Sequence, residues 1–596
     1  MLFTHLAQVF DQIDNVSSRI EKTKLLAHLL AECSAQEAKI VAYLSLGSLH
    51  APFHGTRFNI AEKIMIAVLA HALDISVKAV ADSAQKQGDM GLVFVHFAGD
   101  RELSSLSIEQ VYHALCSLEE VEGTGSQEQK TVQLTELLKH LDAQSGLYVI
   151  RVIMGRLRLG FSDMTLIDAF SWMETGNKSI SKIIEKAYNA CADIGQLIHV
   201  IKHNGVKHLD TLVVTPGIPL RPAAAERMAS PAAIYEKLGN CVAQPKLDGF
   251  RLQVHRYHRD GKVVVSFFSR NLQEKADSFP ELTKALLHMD HVGNSRVGDF
   301  IAEGEAICYD AATDTFLPYQ DTAKRSRKHD VAENAEKYPL KIFLFDLLYF
   351  NGKSLIDESH AERRNKLVQA FGHADDSYFA KATKDTPIQV IEQRACTSTQ
   401  DIQDYFDKAM SEGLEGLVVK KPSDPYAAGK RNFSWIKLKR HETGSLDDTI
   451  DCVILGYYFG RGKRAGGIGA LLVGIYNVHK DQYETIAKLG TGMTDQEFIE
   501  VKAACDKASV DEQPDNVVCH KDLYPDVWTN PQLVCIVRAD EITKSPVHTA
   551  CKDAHNSGFA LRFPRYLGLR DDKSVNDATS DHEIKELFKL QFAHKK

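Results

Sequence analysis

Apolar residues recur at helical spacing through the first third of the chain. One such stripe consists of Leu6, Val9, Phe10 and Ile13. Residues three and four positions apart share one face of a helix, so this spacing predicts an amphipathic helix with a buried side. Ser34 to Glu37 has the form of a capping box at a helix start. Because strand patterns are few here, we predict an all-helical domain over residues 1–212, closed by a linker at Thr215-Pro216-Gly217.

Period-two alternation replaces the helical spacing between residues 213 and 445. Phe300 to Cys308 alternates so that Glu303 and Glu305 share one strand face with two isoleucines. Lys341 to Tyr349 is almost continuously apolar, which is typical of a strand covered on both faces. Helical patterns lie between these strands. We therefore predict an α+β domain over residues 213–445.

Short strand patterns mark the region from residue 446 to residue 596. They are Ile450 to Tyr458, Ala470 to Tyr476, Glu484 to Leu489, Val534 to Asp540 and Phe559 to Phe563. The loop between the first two carries three basic residues, Arg461, Lys463 and Arg464. Five short strands with a flexible basic loop are typical of the OB-fold, a small barrel that binds oligonucleotides. We predict an all-β OB-fold domain there, ending in an amphipathic helix that begins at Asp581.

One lysine, Lys246, is predicted to lie on a short loop between two strands, in the sequence Lys-Leu-Asp-Gly. A neutral amine there can act as a nucleophile. Gly249 would let the backbone approach a ligand closely, and Arg251 could hold a hydroxyl or a phosphate. The alternative is an exposed turn, because Lys, Asp and Gly all favour turns. Taken alone, the tetrapeptide favours the turn.

Further charged residues downstream strengthen the interpretation that Lys246 belongs to a functional site. Glu415 begins a strand pattern that ends at Lys420, and Lys437 and Lys439 share one face of another predicted strand. Paired lysines on a strand are also the usual protection of an exposed sheet edge. Lys437 and Lys439, however, occur in the same domain as Lys246 and the strand carboxylates. Together these residues have the composition of a nucleotide-binding site.

Two loops of the helical domain could bind the backbone of a nucleic acid. Gly125 and Ser126 precede a helix predicted to begin at Gln127, and small residues at a helix start present free N–H groups to a phosphate. Arg151, Arg156 and Arg158 could add positive charge. An ordinary glycine-rich helix junction explains the first loop equally well.

Composition restricts the class of protein. The 596 residues carry a net charge of -8, which argues against a protein that coats nucleic acid non-specifically but leaves a local basic track possible. Eleven cysteines without a Cys-x-x-Cys pair argue against a zinc ribbon and fit reduced thiols. We expect neither a signal peptide nor a membrane-spanning segment, because the N-terminal residues lack a basic segment followed by an apolar core and no apolar run approaches about 18 residues. We expect a cytoplasmic protein, nucleoid-associated in a prokaryote or nuclear in a eukaryote.

The ordered set of motifs resembles the covalent nucleotidyltransferases. In chain order they are Lys246-Leu247-Asp248-Gly249, Ser269-Arg270-Asn271, Glu303-Gly304-Glu305, Phe345-Asp346-Leu347-Leu348-Tyr349, Glu415 to Lys420, Trp435 to Lys439, Arg562 to Arg565 and Arg570 to Lys573. With the helical domain and its linker, the whole chain is similar to ATP-dependent DNA ligases of the archaeal and eukaryotic replicative type. The resemblance implies an enzyme that seals 5′-phosphate/3′-hydroxyl nicks in duplex DNA.

The resemblance also implies roles for individual residues. Lys246 would attack the α-phosphorus of ATP, and Glu305 and Glu415 would bind Mg²⁺. The nucleotide would be contacted by Gln244, Arg251, Arg270, Glu305, Phe345, Arg431, Lys437, Lys439, Arg562 and Lys573. The DNA would be contacted by Gly125, Ser126, Arg158, Arg461, Lys463 and Arg464.

Two departures from the family pattern bear on specificity and partners. Gln244 stands where these ligases usually carry a glutamate that faces the adenine amino group. A glutamine carbonyl can accept the same hydrogen bond, but its NH₂ group could also read a different purine. No clear sliding-clamp peptide lies near Arg101 to Ile108, so a clamp stays an open partner, and we expect a monomer.

Rival interpretations differ in what they require of the chain. A capping guanylyltransferase or an RNA ligase has no need of the helical domain, and an NAD-dependent ligase usually has a four-cysteine zinc site. A catalytically silent nick-binding clamp would have no need of Lys246 and the carboxylates.

Overall fold

The computed structural model describes the chain except for a set of short segments. These are residues 156, 158, 290, 293–294, 297, 311–314, 318–321, 323–324, 326–330, 373–386, 413, 440–448, 461–463, 465, 554–556, 571 and 594–596. The chain divides into two compact units, Met1–Val68 with Ala98–Arg440, and Leu69–Phe97 with His441–Lys596. Each unit is described by itself.

The N-terminal region is helical, as predicted. Its helices are α1 Phe3–Asn15, α2 Arg19–Glu32, α3 Ala35–Ser45, α4 Glu62–Leu73, α5 Val77–Gln87, α6 Met90–Ala98, α7 Ile108–Glu120, α8 Ser126–Lys139, α9 Ala143–Ile153, α10 Asp163–Thr175, α11 Ser181–Cys191 and α12 Ile194–Asn204. Leu6, Phe10 and Ile13 of the predicted stripe are buried in the core. The capping box at Ser34 is confirmed, because its side chain accepts from the Glu37 N–H and the Glu37 side chain accepts from the Ser34 N–H.

Two sheets and a separate pair of short strands, β5 with β6, form the central region. Their strands are β1 Ala224–Arg227, β2 Cys241–Lys246, β3 Phe250–Arg259, β4 Lys262–Ser269, β5 His291–Val292, β6 Ser295–Arg296, β7 Phe300–Asp310, β8 Thr315–Phe316, β9 Leu340–Phe350, β10 Lys353–Ser354, β11 Ile388–Val390, β12 Arg394–Cys396, β13 Gly416–Lys420 and β14 Arg431–Lys439. One sheet has the order β1-β14-β13-β2-β12, and the other has β10-β9-β7-β3-β4 with β11 and β8 beside it. The helices are α13 Pro231–Leu238, α14 Pro280–Leu287, α15 Val331–Lys337, α16 His360–Phe371 and α17 Thr399–Ser411.

Strand β2 extends further than the sequence suggested. Lys246 is its last residue and pairs with Gly416 of β13, so the lysine lies at a strand end rather than on the loop. The ladder with β13 continues through Pro245 and Lys246, and only residues 247–249 connect β2 to β3. The lysine is therefore held by sheet pairing, which positions a reactive group more rigidly than a loop does.

The first sheet separates its residues strictly by face. On one face, Gln244, Val418 and Lys437 lie side by side across β2, β13 and β14. Lys246, Gly416 and Lys439 form a second row on the same face. The opposite face carries Ala243, Val419, Ile436 and Leu417, Leu438, which pack into a hydrophobic core with α13 and α17. The period-two pattern predicted this division for Lys437 and Lys439, and the structure confirms it.

The carboxylates of β7 likewise share a face. Phe300, Ala302, Ala306 and Cys308 pack into one core with α14 and α16, whereas Glu303 and Glu305 lie on the other side of the strand. The predicted alternation of this strand is therefore confirmed.

The C-terminal region is rich in β-strands and contains more of them than predicted. They are β15 Ile450–Phe459, β16 Ile468–Asn477, β17 Gln482–Leu489, β18 Ser509–Val510, β19 Val517–Val518, β20 Val527–Thr529, β21 Val534–Arg538, β22 Glu541–Ser545, β23 Gly558–Arg562 and β24 Arg565–Leu569, with helices α18 Asp495–Lys507 and α19 Asp581–Ala593. Eight strands form one sheet, and β22 pairs with β23. The additional strands have two to five residues, which is too short for a clear periodic signal. No helix in the described part of the chain is long and apolar enough to cross a membrane.

Candidate active site

Strands of both central sheets line one cavity of about 610 Å³. Nine of the predicted nucleotide-site residues lie on its wall: Gln244, Lys246, Arg251, Arg270, Glu305, Phe345, Arg431, Lys437 and Lys439. They come from five strands and one loop that are far apart in the sequence. The fold therefore brings together the residues that the motifs indicated separately.

Lys246 forms an ion pair with Glu415, which precedes β13. Lys439 lies 3.3 Å from the other oxygen of the same carboxylate. Although burial opposes ionisation, these two ammonium groups hold the pKa of Glu415 below its ordinary value. Glu415 therefore carries a charge between two lysines at the end of the sheet.

Gly416 separates the two lysines on the sheet surface. It pairs with Lys246 on one side and with Lys439 on the other. Its φ is +144°, and a Cβ at this position would overlap the backbone carbonyl oxygen of Leu438. Glycine is therefore required both by the backbone and by the close approach of β14.

Glu305 faces the cavity from β7. One carboxylate oxygen accepts a hydrogen bond of 3.2 Å from the backbone N–H of Gly249. Burial raises the pKa of Glu305 to about 7, although Lys246 and Arg251 act in the opposite direction. At Gly249 itself, a Cβ would overlap the carbonyl oxygen of Ala306, so the lysine loop can lie against β7 only because this residue is glycine.

Arg251 is held firmly by neighbouring side chains. Its guanidinium donates two hydrogen bonds of 2.9 and 2.8 Å to Glu303 and one of 2.6 Å to the carbonyl of Ala223. It also lies 5.5 Å from the ring centroid of Phe345 and 5.4 Å from that of Trp435. Glu303, which shares its face of β7 with Glu305, is engaged by this pair. It therefore serves to position Arg251.

Basic side chains dominate one end of the cavity. Lys437, Lys439, Arg431 and Arg270 all line it. Burial, together with the charges of Lys439 and Arg431, lowers the pKa of Lys437. Such a concentration of positive charge favours a ligand with several negative charges, such as a polyphosphate.

Lys420 lines the cavity as well, although the sequence analysis placed it only at the end of a motif and gave it no role of its own. Its ammonium group donates to the carbonyl of Phe345 at 3.2 Å and lies 4.1 Å from the ring centroid of Trp435. Burial lowers the pKa of Lys420 to about 7. Its spacing of two positions from Val418 on the same strand face is the signal that could have identified it.

Asp346 lies behind the cavity wall in a buried ion pair with Arg363. The two oxygens accept hydrogen bonds of 2.7 and 3.0 Å from this guanidinium. Although burial alone would raise it, Arg363 holds the pKa of Asp346 well below its usual range. The pair ties β9 to α16 at the residue that follows Phe345.

Other predicted residues lie elsewhere in the chain. In the C-terminal region, Arg562 pairs with Glu541 at 2.6 Å, Lys573 pairs with Asp451 at 2.6 Å, and Arg464 lies 4.0 Å from the ring centroid of Phe498. In the helical region, the helix begins at Ser126, one residue earlier than predicted, after Gly125 with a φ of +82°. Arg158, Arg461 and Lys463 lie outside the described residues.

Of the two carboxylates predicted to bind a metal ion, Glu305 lines the cavity, and Glu415 is paired with Lys246 and Lys439 on the cavity wall. Within the described residues there is no cluster of three or more His, Cys, Asp or Glu side chains suited to a metal ion. Magnesium in phosphoryl-transfer sites is commonly bound by one or two carboxylates together with substrate phosphates. Glu305 and Glu415 match that donor set.

Three family models match the chain in succession. They are the DNA ligase N terminus over residues 2–171, the ATP dependent DNA ligase domain over residues 222–439, and the ATP dependent DNA ligase C terminal region over residues 464–573.

Similar proteins span the same length. A probable DNA ligase of Dictyoglomus turgidum is 37% identical over 593 residues, covering 99% of this chain and 98% of that protein. DNA ligase 1 of Methanosarcina acetivorans is 34% identical, covering 98% and 99% of the two chains. A solved structure titled Pmar-Lig_Pre has the same fold, with a TM-score of 0.54 at 17% identity, covering 95% of this chain and 99% of its own. The family resemblance of the motifs is thus confirmed: the chain belongs to the ATP-dependent DNA ligase family and is an enzyme with ligase activity.

Proposed function

We propose that this protein joins 5′-phosphate and 3′-hydroxyl ends at nicks in duplex DNA through a covalent lysyl-AMP intermediate on Lys246. The observation that carries the proposal is the position of Lys246, which lines the cavity together with Glu305, Lys437 and Lys439 and is paired with Glu415. A nucleophilic amine beside a phosphate-binding surface is the arrangement that nucleotidyl transfer requires.

The reaction proceeds in three transfers of phosphorus. In the first, Nζ of Lys246 bonds to the α-phosphorus of ATP, the bond to pyrophosphate breaks, and the amine loses a proton. In the second, an oxygen of the DNA 5′-phosphate bonds to the same phosphorus and the N–P bond breaks, which restores the lysine. In the third, the 3′-hydroxyl attacks the activated 5′-phosphorus, loses its proton and expels AMP.

Residues of the cavity have complementary roles in these transfers. Glu415 pairs with Lys246 and holds its side chain in place before ATP binds. Lys437, Lys439, Arg431 and Arg270 stabilise negative charge on the phosphates. Phe345 stacks on the base, and Gln244 contacts its edge. Arg251, held by Glu303, supports the ribose and the ring of Phe345.

Glu305 and Glu415 would hold Mg²⁺, and the ion would supply neutralisation of charge on the phosphoryl group that is transferred.

DNA contacts are proposed for the outer regions. The β-rich C-terminal region, residues 446–596, would be an OB-fold that holds DNA through Arg461, Lys463 and Arg464. Its Arg562 and Lys573 would orient the pyrophosphate in the first step. In the helical region, residues 1–212, the N–H groups at Gly125 and Ser126, together with Arg158, would contact the DNA backbone. Residues 213–445 would form the nucleotidyltransferase domain of a monomeric enzyme.

The test is to incubate the protein with α-labelled ATP and locate the modified residue by mass mapping. We expect one adduct of AMP, on Lys246, and no adduct in Lys246→Ala. The control is Lys262→Ala, an exposed lysine on β4 of the same domain, which should label as the wild type does. An adduct that persists in Lys246→Ala would exclude Lys246 as the nucleophile.

A further inference from the structure

Gln244 lies on the cavity wall with its side chain almost entirely buried, at 2% exposure. Its amide can offer a ligand either an oxygen, which accepts, or an NH₂ group, which donates. Adenine carries a donating amino group at the position where guanine carries an accepting oxygen. The direction of this one amide therefore decides which purine it favours.

We propose that Gln393, supported by His360, is a positioning residue that holds the Gln244 amide with its oxygen toward the base and thereby selects ATP over GTP. This inference rests on the proposed function, in which Gln244 contacts the base edge.

The nitrogen of the Gln244 amide is directed away from a ligand by two acceptors. It lies 2.9 Å from the side-chain oxygen of Gln393 and 3.5 Å from the backbone carbonyl oxygen of Phe345. A backbone carbonyl can only accept, so the amide must turn its NH₂ side toward Phe345. Both amide hydrogens then have acceptors within the protein, and the oxygen is the group that remains for a ligand.

The carbonyl of Phe345 is itself fixed by a second donor. The ammonium group of Lys420 donates to it at 3.2 Å. A reversed Gln244 amide would place its oxygen against this carbonyl oxygen, which is electrostatically unfavourable. Residues on two strands, β9 and β13, therefore support the same orientation of Gln244.

Gln393 is held by the buried ring of His360. Its side-chain oxygen lies 3.0 Å from Nε2 of His360, so the same oxygen accepts from both His360 and Gln244. Burial lowers the pKa of His360, and its Nδ1 lies 3.6 Å from an oxygen of Asp346. We assign the neutral ring the tautomer that carries its proton on Nε2, so that Nε2–H donates to Gln393. A reversed Gln393 would present its NH₂ group to two donors, and both hydrogen bonds would be lost.

The opposite arrangement shows what this network prevents. If His360 carried its proton on Nδ1, Nε2 would accept from a reversed Gln393, which would in turn donate to the oxygen of Gln244. The NH₂ group of Gln244 would then face the ligand and favour the oxygen of guanine. The contact with Phe345 opposes this second state. The selectivity that other members of the family obtain from a carboxylate is thus obtained here from an oriented amide.

The experiment compares the rates of Lys246 labelling by ATP and by GTP in variants of the full chain. Gln393→Leu removes the acceptor, so the amide of Gln244 can turn, and the ATP:GTP rate ratio should fall about tenfold, as expected for one hydrogen bond. Gln393→Glu keeps the acceptor and should preserve the wild-type ratio. A loss of packing alone would slow both nucleotides equally and leave the ratio unchanged.

A second pair of variants, which both carry Gln244→Glu, tests whether the effect depends on the orientation of the Gln244 amide. Gln244→Glu has two accepting oxygens and no orientation to choose, so adding Gln393→Leu to it should leave the ratio unchanged. The inference is overturned if Gln393→Leu keeps the wild-type ATP:GTP rate ratio, or if none of the variants is labelled by GTP. It is also overturned if Gln393→Glu loses selectivity to the same extent as Gln393→Leu. Absence of any ATP adduct on wild-type Lys246 would instead refute the proposed function.

Discussion

Lys420 and Glu305 show how burial changes the acid–base behaviour of single side chains in the cavity. The pKa of Lys420 is lowered to about 7 by burial, and the pKa of Glu305 is raised to about 7 by the same cause. In both cases, removal from water disfavours the charged form. The sequence identified Glu305 from its strand face but could not assign either pKa, because burial depends on residues distant in the chain.

Replacing Lys420 with Met should change how the free energy of unfolding depends on pH. Folded Lys420 loses its proton near pH 7, whereas the unfolded chain keeps it up to about pH 10.5. The cost of burying the charge is fully present below pH 7 and disappears as the pH rises toward 10.5. Wild type should therefore gain stability relative to Lys420→Met across this interval, as measured by urea unfolding at several pH values.

The control for this prediction is Lys421→Met. The Lys421 side chain is 43% exposed, and the substitution should show no such trend. A difference between wild type and Lys420→Met that stays constant with pH would contradict the assigned burial effect.

Strands β2, β13 and β14 act together as one element that presents functional residues on one face and core residues on the other. The alternation of Trp435 to Lys439 predicted the faces correctly. The extension of β2 to Lys246 was not predicted, because a Lys-Leu-Asp-Gly sequence favours a turn and only pairing with Gly416 reveals the strand. Local propensity was overridden by tertiary pairing.

Gly416→Ala should destabilise the protein by disturbing the pairing of β13 with β14. The new Cβ would overlap the carbonyl oxygen of Leu438, and overpacking of this kind costs roughly 1–3 kcal/mol. Gly239→Ala is the matched control, since Gly239 also has a positive φ, +66°, but its Cβ would meet nothing within 4 Å. Urea unfolding should show the larger loss for Gly416→Ala, and equal losses would argue against the overlap.

At the scale of the whole molecule, the chain forms two compact units, and the predicted functional residues are divided between them. The cavity lies entirely in the first unit, whereas Arg464, Arg562 and Lys573 belong to the second. The motif order along the sequence indicated that both parts serve one reaction. Ion pairs of Arg562 with Glu541 and of Lys573 with Asp451 were not foreseeable, because their partners lie on other strands.

Arg562→Ala should slow self-adenylation by about 10², the effect of removing one stabilising donor from a transition state. Sealing of a nick that already carries AMP should be affected much less, because pyrophosphate has left before that step. Glu541→Gln frees Arg562 without removing it, and this control should not slow self-adenylation. Equal slowing of both steps by Arg562→Ala would contradict a role confined to the first.

Substitution of Arg461, Lys463 and Arg464 together by Ala should weaken nick binding in a salt-dependent way. Each phosphate contact contributes about 0.9 to the slope of log K against log salt, so the slope should become shallower by up to about 2.7. Lys585→Ala, which removes a charge already paired with Asp581 at 2.8 Å, is the control and should leave the slope unchanged. An unaltered slope in the triple variant would remove this loop from the interface.

The sequence by itself determined the helical region, the strand faces of Glu305, Lys437 and Lys439, and the ordered motifs around Lys246. These are local properties, because periodicity and motif spacing are written in neighbouring residues. Only the tertiary structure decided the direction of the Gln244 amide, whose partner Gln393 lies 149 residues away. Gln393 directly precedes β12, which pairs with β2 in the same sheet, and this pairing of two distant strands is not encoded in either segment alone.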